Sequence, residues 1–495
     1  MSKKVIVTGA GLSGLSAAAQ LAIRGFEVEV YEKNDIPGGR ARHFKSDGFT
    51  FDMGPTWYWF PEIFENFFRK FGYSTIDFYK LDRLNPAYRI FYGVNDCIDV
   101  PAEDKELFEL FETIEKGSSK KLKKFLKSAY NNYQFALKEI IYKPGYGVGN
   151  YLPWFSITRA LKHNFFSSYS RYIKSLFKEN RLQRILEFPI TSLGGSPQKA
   201  PCFYNLMNYV DLKLGTWYPQ GGIYKIVEAI LKLLDGLQVS VHLNSPVENY
   251  DIIDNKVTGI YTRGKNFHAD YFVASADYYH AEQLLAKECR NYSDKYWDKK
   301  KLSPSALIYF LGVNKKLDNL QHHNLFYDAS FDDHLKDLYD HLKWPEAPVF
   351  YVSCCSKTDK KAAPAGMENL VIIIPVTPGL EDTGKIKEHY YDLVTNRLEH
   401  ITQQNIRNSI VYKKSYAQSD FITDYNAFQG NAYGLANTLK QSGFLKPKIR
   451  NRHLTNMFYT GQLTLPGPGM PSALVSGEIA ASEIDKLHRK SMKIT

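Results

Sequence analysis

The 495-residue sequence predicts an α/β protein with a Rossmann-like dinucleotide-binding domain, a mixed-sheet second domain and a mainly helical insertion. Three observations predict this fold. Residues 4–32 show the succession of strand, glycine-rich turn, helix and strand. Residues 57–205 contain helix-length patterns without a regular alternation of apolar and polar residues. Alternating strands then return between residues 306 and 376.

The N-terminal turn has the glycine spacing of a dinucleotide-binding loop. Gly9, Gly11 and Gly14 follow the apolar strand Val5–Val7 in the order G-x-G-x-x-G. The first glycine permits a tight turn, the second lets the backbone approach a pyrophosphate, and the third allows the helix to pack closely on the strand. The helix that follows, to Gly25, directs free N–H groups and a partial positive charge towards that pyrophosphate.

An acidic residue ends the second strand of this unit. The strand Val28–Tyr31 is followed by Glu32, about 20 residues beyond the glycines, where a carboxylate accepts hydrogen bonds from ribose hydroxyls. No other G-x-G-x-x-G follows a strand in the sequence. A second domain for NAD(P)H is therefore not expected, which argues against reductases of the disulfide-reductase type.

Further elements are predicted from periodicity and turn signals. The predicted helices are Lys120–Ile141, Phe165–Ile185, Ile223–Leu234, Lys387–Ile401 and one that begins at about Pro471. The predicted strands are Val239–Leu243, Val247–Asp251, Val257–Thr262, Tyr271–Ala274, Ala306–Val313, Val349–Cys354, Leu370–Val376 and Met457–Thr460.

Two motifs at opposite ends of the chain carry a family resemblance. Gly38, Gly39 and Arg40 follow Glu32 as in the D-x-x-G-G-R extension of flavoproteins of the phytoene-desaturase and amine-oxidase superfamily, although a plain Gly-Gly turn is the alternative for this segment alone. Residues 456–481 resemble the C-terminal flavin motif of the same superfamily, in which a strand, a glycine turn and a helix N-terminus face the flavin. Residues 52–55 resemble its D-x-G-P turn.

The resemblance is to the bacterial phytoene-desaturase-type carotenoid desaturases and covers nearly the whole chain. Its other motifs lie at residues 196–201, 217–222, 275–280, 320–323 and 430–435. It implies non-covalent FAD, a long polyene substrate, peripheral membrane association, and C=C formation by hydride transfer to the flavin. The segments it implies are 1–56, 208–285 and 450–495 for an FAD-binding domain, 57–207 for a helical, membrane-facing insertion, and 286–449 for a substrate domain.

The resemblance also implies the residues that contact FAD. They are Gly9, Gly11, Leu12, Ser13, Gly14, Glu32, Lys33, Gly39, Arg40, Gly54, Pro55, Thr56, Val247, Gly461, Gln462, Pro471, Ser472 and Ala473. Val247 is expected near the adenine. Because the flavin carries the redox chemistry, no catalytic triad and no metal are expected, and the sequence identifies no catalytic residue.

Several polar and aromatic residues have two interpretations. Asp52 is either a base near the flavin or, preferably, an acid held in a turn. The pair His322-His323 is not expected to bind one metal, because adjacent residues of a strand point to opposite faces. Residues 57–60, which are Trp, Tyr, Trp and Phe, line a substrate channel or form an ordinary aromatic core.

One departure from the family pattern bears on the substrate. The T-H-P-G of phytoene desaturases is replaced here by Thr464-Leu465-Pro466-Gly467. This variant resembles desaturases of later intermediates, including 3,4-desaturases of 1-hydroxylated carotenoids. A phytoene desaturase is the first alternative. A carotenoid cis-trans isomerase with reduced FAD and a flavin amine oxidase are the others, and the basic segment described next opposes the amine oxidase.

Charge is concentrated in one part of the chain. Residues 116–186 hold 15 Lys and Arg against two acids, a net charge of +13, mixed with many aromatic residues. This mixture indicates an anionic membrane surface, with an ordinary solvated helical face as the alternative. Nucleic acid is not expected, because no RNA-binding motif is present. The expected partners are a carotenoid, a membrane surface, and quinone or oxygen as electron acceptor.

Cysteine content and hydropathy predict the location. Five Cys do not form a disulfide framework or a zinc pattern, so a reducing compartment is expected. The sequence has no signal-peptide pattern and no stretch of 18 apolar residues. The predicted location is the cytoplasm, with peripheral attachment to the inner membrane.

Overall fold

The computed structural model describes residues 2–145, 167–438 and 441–493. The strands are β1 (Lys4–Thr8), β2 (Glu27–Tyr31), β3 (His43–Ser46), β4 (Phe49–Asp52), β5 (Leu81–Arg83), β6 (Tyr88–Gly93), β7 (Asp96–Val100), β8 (Trp217–Pro219), β9 (Ser240–His242), β10 (Asn249–Ile253), β11 (Lys256–Thr262), β12 (Lys265–His268), β13 (Tyr271–Ala274), β14 (Ser305–Val313), β15 (His323–Phe326), β16 (Phe350–Ser353), β17 (Glu368–Val376), β18 (Ile410–Tyr416) and β19 (Met457–Tyr459). The α-helices are α1 (Leu12–Ala22), α2 (Pro61–Arg69), α3 (Asp104–Ile114), α4 (Ser118–Glu139), α5 (Tyr169–Leu176), α6 (Asn180–Thr191), α7 (Leu206–Tyr209), α8 (Lys225–Gly236), α9 (Tyr278–Gln283), α10 (Asp294–Asp298), α11 (Phe331–Lys336), α12 (Gly384–Thr402), α13 (Gln418–Tyr425) and α14 (Met470–Met492).

A parallel sheet forms the nucleotide-binding half of the fold. Its strand order is β19-β13-β1-β2-β9, and every neighbouring pair is parallel. The carboxyl ends of the five strands therefore meet at one edge, where ligands bind in sheets of this kind. Helices α1 and α14 pack so closely that a Cβ on Gly477 would lie 2.3 Å from the Ser13 carbonyl oxygen.

A mixed sheet forms the second half. Its order is β18-β14-β17-β16-β15-β6-β7, and its longest pair, β14 and β17, is antiparallel from Ser305 opposite Val376 to Val313 opposite Glu368. The pair β15 and β6 is parallel. Strands β5, β6 and β7 lie in residues 57–205, where the sequence predicted no strand pattern. That expectation was wrong. The strands were not recognised because they are short and because β6 and β7 only extend the edge of a sheet whose other strands come later in the chain.

The helix predicted over Phe165–Ile185 is interrupted in the structure. Residues 165 and 166 lie outside the described residues, and the remainder forms α5 and α6 with extended backbone at Phe177 between them. Two features explain the break. The Phe177 side chain is buried in the core, and the Glu115 carboxylate accepts hydrogen bonds from the backbone N–H groups of Lys178 and Glu179 at 2.7 and 3.1 Å.

Helix α4 is amphipathic. Its buried face carries Leu122, Phe125, Ala129, Tyr133 and Ala136, at the spacing of one helix face. Lysines on the remaining surface are exposed, at positions 120, 123, 124, 127 and 138. In the part of the chain that the structure describes, no helix is long and apolar enough to cross a membrane.

Candidate functional site

A cavity of about 620 Å³ lies at the carboxyl edge of the parallel sheet. Its wall is built largely from the loops that leave the five strands. Thr8, the last residue of β1, also lines the cavity. The loops contribute Gly9 and Gly11 after β1, Glu32 and Lys33 after β2, Ser245–Val247 after β9, Ser275–Asp277 after β13, and Thr460–Gln462 after β19. The cavity therefore occupies the crevice that the topology of a parallel sheet provides for a dinucleotide.

The three glycines of the first loop have different surroundings. A Cβ on Gly9, whose φ is +112°, would lie 2.9 Å from the Ala276 nitrogen, and one on Gly14 would lie 2.1 Å from the Gly9 oxygen. A Cβ on Gly11 would meet no atom within 4 Å. Gly9 and Gly14 are thus required by the packing of the protein itself, whereas Gly11 faces open space in the cavity, where a pyrophosphate would otherwise meet a side chain.

Glu32 lies in the wall of this cavity with only 6% of its surface exposed. Its carboxylate accepts hydrogen bonds from the backbone N–H of Ala10 at 2.7 Å and from the backbone N–H of Asn34 at 2.9 Å. The acid therefore ties the glycine loop to the end of β2. Carboxylate oxygens have further lone pairs, so the same group can also accept a bond from a ribose hydroxyl.

The second glycine pair packs against the first loop. Gly38 donates a hydrogen bond to the Ala10 oxygen at 2.8 Å, and a Cβ on Gly39 would lie 3.1 Å from the Gly11 Cα. The turn interpretation of this pair therefore has a structural basis, and the residues still border the cavity. Arg40 follows, donates to the Asn431 oxygen at 3.1 Å, and has its pKa lowered by burial.

Two helix N-termini open onto the same region. Helix α1 begins after Gly11 and helix α14 begins after Gly469, and neither N-cap carries a side-chain hydrogen bond. Gly11, Gly469 and Ala473 all line the cavity. Uncapped N–H groups and two helix dipoles favour an anionic ligand. Together with the open side of Gly11, these features fit a dinucleotide such as FAD.

The structure brings most of the residues predicted to contact FAD into one wall. The first cavity is lined by Gly9, Gly11, Leu12, Ser13, Glu32, Lys33, Gly39, Arg40, Gly54, Pro55, Val247, Gly461, Gln462 and Ala473. Thr56, Pro471 and Ser472 line a neighbouring cavity instead. Gly14 lines neither, because it is covered by the Gly9 backbone. Val247 precedes β10, which begins at Asn249, so it lies in a loop and not in the predicted strand.

The neighbouring cavity, of about 380 Å³, is apolar and adjoins the first. Both are lined by Gly54, Pro55, Ala306, Ile373, Tyr433, Gly469 and Met470, which we call the junction. Within the described residues, the lining of the second cavity includes no Asp, Glu, Lys or Arg. A ligand there meets hydrocarbon and aromatic surface, with scattered hydroxyl, amide and imidazole groups.

The aromatic run at residues 57–60 divides between cavity and core. Trp57, Trp59 and Phe60 line the second cavity, in agreement with the channel interpretation. The Tyr58 side chain is fully buried elsewhere, stacked on Phe64 and 3.0 Å from the Tyr79 hydroxyl. Both sequence interpretations of this run therefore hold for part of it.

Residues 275–280, after β13, resembled a family motif in the sequence, but none of them was predicted to contact FAD. Residues Ser275–Asp277 line the first cavity, and Asp277 caps α9 by accepting a hydrogen bond from the Tyr279 N–H at 3.1 Å. Burial raises the pKa of Asp277, while the charge of Arg40 opposes that rise. The motif and its place after a strand were the available signals, and the strand order shows why the loop reaches the cavity, because β13 lies beside β1.

Asp52 is the last residue of β4 and not part of a turn, but it is held by hydrogen bonds, as the preferred interpretation predicted. Its carboxyl group accepts hydrogen bonds from the backbone N–H groups of Ile223 and Tyr224 at 3.1 and 3.4 Å, and it lines neither cavity. Burial raises its pKa to about 7. The group therefore joins β4 to the start of α8.

The two adjacent histidines do not point apart as the sequence argument assumed. Strand β15 begins only at His323, and the two ring centroids lie 4.4 Å apart. Each has its own partner: His322 Nδ1 lies 2.6 Å from the Thr358 hydroxyl and His323 Nδ1 lies 2.6 Å from the Tyr351 hydroxyl. Among the described residues, no group of three or more His, Cys, Asp or Glu side chains could hold a metal ion.

Comparison with known proteins agrees with this geometry. Residues 12–485 match the family of flavin containing amine oxidoreductases. The chain is 37% identical to a carotenoid 3,4-desaturase of Haloarcula japonica over 97% of each chain. It is 28% identical to a zeta-carotene-forming phytoene desaturase of Myxococcus xanthus, covering 97% of this chain and 94% of that one. The fold is similar to that of an oxidoreductase from Methanosarcina mazei, with a TM-score of 0.65 and 17% identity over 96% of this chain and 98% of that one.

Proposed function

Because the chain belongs to the family of flavin containing amine oxidoreductases, we propose that it is an FAD-dependent carotenoid desaturase that acts on an already conjugated carotenoid, with 3,4-desaturation of a 1-hydroxycarotenoid as the preferred reaction. The observation that carries the proposal is the uncharged, aromatic second cavity that meets the nucleotide cavity at the junction. A hydrocarbon chain there passes beside the cofactor.

FAD is the cofactor, and when bound it supplies the acceptor for the hydride that the substrate loses. We assign its binding to the residues listed above as lining the first cavity, with the pyrophosphate at Gly11 and the N-terminus of α1, and the ribose at Glu32. The junction residues Tyr433, Met470 and Pro55 hold the reacting carbon atoms against the flavin and exclude water. No side chain is assigned as a base.

The segments divide the work in this proposal. Residues 1–56, 208–285 and 450–495 supply the strands and loops of the FAD-binding domain, and residues 286–449 supply most of the mixed sheet over which the substrate lies. Residues 57–207 contribute Tyr133 and Leu137 of α4 to the wall of the second cavity. This last contribution connects the substrate cavity with the basic part of the chain.

We further propose that the basic segment attaches the protein to an anionic membrane surface, on the cytoplasmic side of the inner membrane. Lys120, Lys123, Lys124 and Lys127 of α4 are exposed, whereas Lys121 forms an ion pair with Glu115 at 2.6 Å. Residues 146–166, which hold many of the aromatics counted in the sequence, lie outside the described residues. Carotenoids reside in membranes, so this attachment brings the enzyme to its substrate, and it also brings it to membrane quinone, which together with oxygen is the proposed electron acceptor.

The alternatives predict different reactions. A flavin amine oxidase needs a site for a cation, and the second cavity has no acidic lining residue in the described part of the chain. The same two cavities would also suit a cis-trans isomerase, but that reaction leaves the number of C=C bonds unchanged. A phytoene desaturase acts on a short triene, where hydride loss leaves a cation that is less delocalised than the cation from a long polyene.

A panel of substrates in liposomes tests the proposal. The holoenzyme is incubated, under air or with a quinone, with phytoene, an acyclic conjugated carotene, and a 1-hydroxylated carotenoid, and the products are separated by chromatography. We expect red-shifted products from the conjugated substrates and little turnover of phytoene. Efficient multi-step conversion of phytoene contradicts the later-step assignment, and products with unchanged conjugation contradict desaturation.

A further inference from the structure

His334 of α11 is an unexplained polar group in the apolar cavity. It lines that cavity with 3% of its surface exposed. Neither ring nitrogen has a hydrogen-bond partner within the described residues. Buried polar groups are paired in most proteins, because an unpaired one keeps the full cost of its removal from water. A ligand group that pairs with the imidazole would remove this cost.

The other polar groups of the cavity are mostly satisfied by the protein. The Tyr351 hydroxyl bonds to His323 and donates to Thr56, and the Tyr339 hydroxyl donates to the Gly194 oxygen at 2.7 Å. The Tyr133 hydroxyl on α4 shares the unpaired state of His334 within the described part of the chain. Tyr133 belongs to the α4 part of the wall, as do Ala136 and Leu137. Among the described residues, His334 is therefore the unpaired polar side chain that α11 contributes to the cavity.

The imidazole is suited to a hydroxyl group. Burial lowers the pKa of His334 to about 3, although the negative charge of Asp337 opposes this shift. The ring is therefore neutral and offers one donor and one acceptor. A hydroxyl group also offers both, whereas a carboxylate only accepts and an ammonium group only donates.

The strand register places α11 relative to the junction. Ile373 belongs to the junction, and Tyr351 is its direct partner across strands β16 and β17. Val349 lies just before β16, two residues from Tyr351 and therefore about 7 Å from it. Pro375 of β17 is the direct partner of the junction residue Ala306. Val349 packs against Phe331 and Leu335 of α11, on either side of His334 in the sequence. The α11 part of the wall thus lies within about one strand repeat of the junction.

This separation matches the end of a 1-hydroxylated carotenoid whose 3,4-bond lies at the junction. The hydroxyl oxygen is three single bonds of about 1.5 Å from carbon 3, which places it about 4 Å away. A hydrogen bond adds about 2.8 Å. The sum spans the distance of up to one strand repeat, so a hydroxyl group at this end of the substrate comes within reach of the α11 wall that holds His334.

We propose that His334 recognises the terminal hydroxyl group of the carotenoid and thereby selects the hydroxylated substrate and the bond next to its hydroxylated end. This inference rests on the proposed function. Because His334 acts on one end of the substrate, it is a specificity residue, and its removal affects the hydroxylated substrate without impairing the reaction itself.

Two substrates that differ only in the hydroxyl group test the inference. The kcat/KM of each is measured for the wild type, His334→Leu and His334→Gln, together with the Kd of each carotenoid from its absorption change on binding. We expect His334→Leu to lower kcat/KM and affinity for the hydroxylated carotenoid at least about tenfold, which is 1.4 kcal/mol, and to change the values for the unhydroxylated one less than about twofold. His334→Gln, which keeps a donor and an acceptor, should retain part of the preference.

The controls separate the possible failures. Leu335→Met alters the same helix and cavity wall without a polar change, and it should affect both substrates equally. Thermal unfolding shows whether each variant folds. If the wild type shows no preference for the hydroxylated substrate, or if His334→Leu affects both substrates alike, the role of His334 is overturned while desaturation stands. If the wild type desaturates neither substrate, the proposed function itself is overturned.

Discussion

Gly11 is the residue whose surroundings indicate a bound ligand most directly. Its neighbours in the motif, Gly9 and Gly14, are fixed by contacts within the protein, but the space beside Gly11 is empty of protein atoms. Because Gly11 also lines the nucleotide cavity, a group bound in that cavity explains why the position is occupied by glycine. The local motif thus predicts the pyrophosphate site, and the structure separates its packing glycines from its ligand-facing one.

Gly11→Val should therefore remove FAD without unfolding the protein. The valine side chain would occupy the space that we assign to the pyrophosphate, and we expect FAD affinity to fall at least about tenfold. We measure the FAD that each protein retains after desalting, which reports binding. We also measure the midpoint of thermal unfolding without added FAD, which reports folding. The matched control is Gly236→Val, because a Cβ at Gly236 also meets no atom within 4 Å and lies at the end of α8, away from both cavities. Stoichiometric FAD in the Gly11 variant would contradict the assignment of this loop.

Residue identity alone predicted less about the substrate cavity. The aromatic run at 57–60 indicated channel and core equally, and the structure assigns Tyr58 to the core and its neighbours to the cavity. His334 carried no signal in the sequence, since the environment that makes it notable comes from α11, β16 and β17 together. Polar residues that function through burial are recognised only after the chain is folded.

At the scale of elements, the sequence predicted what local patterns determine. The βαβ unit, α8, α12, β14 and β17 have strong periodicity or turn signals, and all are present within a few residues of their predicted bounds. The break between α5 and α6 was missed, because it depends on a carboxylate from Glu115, which is distant in sequence. Strands β6 and β7 were missed because they join a sheet formed mainly by later residues.

The link between β4 and α8 gives a pH-dependent prediction. Asp52 binds a proton in the folded state up to about pH 7 and in the unfolded state only near its ordinary pKa. The folded state therefore loses stability as pH rises between these values, by up to about 1.4 kcal/mol per pH unit. Asp52→Asn removes this loss, so its unfolding temperature relative to the wild type should rise from pH 5 to pH 7 and level off above. The exposed Asp298→Asn serves as control, and a difference in unfolding temperature that does not vary with pH would contradict the buried, protonated state of Asp52.

Helix α4 gives a prediction about membrane attachment. Replacing Lys120, Lys123, Lys124 and Lys127 by Glu should lower the affinity for anionic liposomes at low salt at least about tenfold, because each lysine near the membrane surface contributes about 1 kcal/mol to binding. The affinity is measured by sedimentation with the liposomes. Lys121 is left unchanged because its ion pair with Glu115 supports the fold. The matched control reverses four exposed lysines elsewhere, Lys256, Lys265, Lys287 and Lys385. If both variants bind like the wild type, the lysines of α4 are an ordinary solvated face.

At the scale of the whole molecule, two cavities built by distant segments meet at one place. The nucleotide cavity takes its walls from both ends of the chain, and the apolar cavity takes its walls from the mixed sheet, α4, α6 and α11. The family motifs predicted that the two ends of the chain form one nucleotide site, because each flavin motif is an unbroken stretch of sequence. The apolar cavity could not be predicted in this way, because its walls depend on strand order and on helix positions, which no local sequence pattern specifies.

The meeting of the cavities implies that the carotenoid is oxidised directly beside the flavin, and a single turnover without oxygen measures this most directly. The holoenzyme is mixed anaerobically with an excess of a conjugated, 1-hydroxylated carotenoid and no other acceptor, and the visible spectrum is followed. We expect the flavin absorbance to bleach while the carotenoid spectrum shifts to longer wavelength, with one new C=C bond formed for each FAD reduced. Bleaching by an amine but not by a carotenoid, or a changed carotenoid geometry with no red shift and no reduced flavin, would contradict desaturation at the junction.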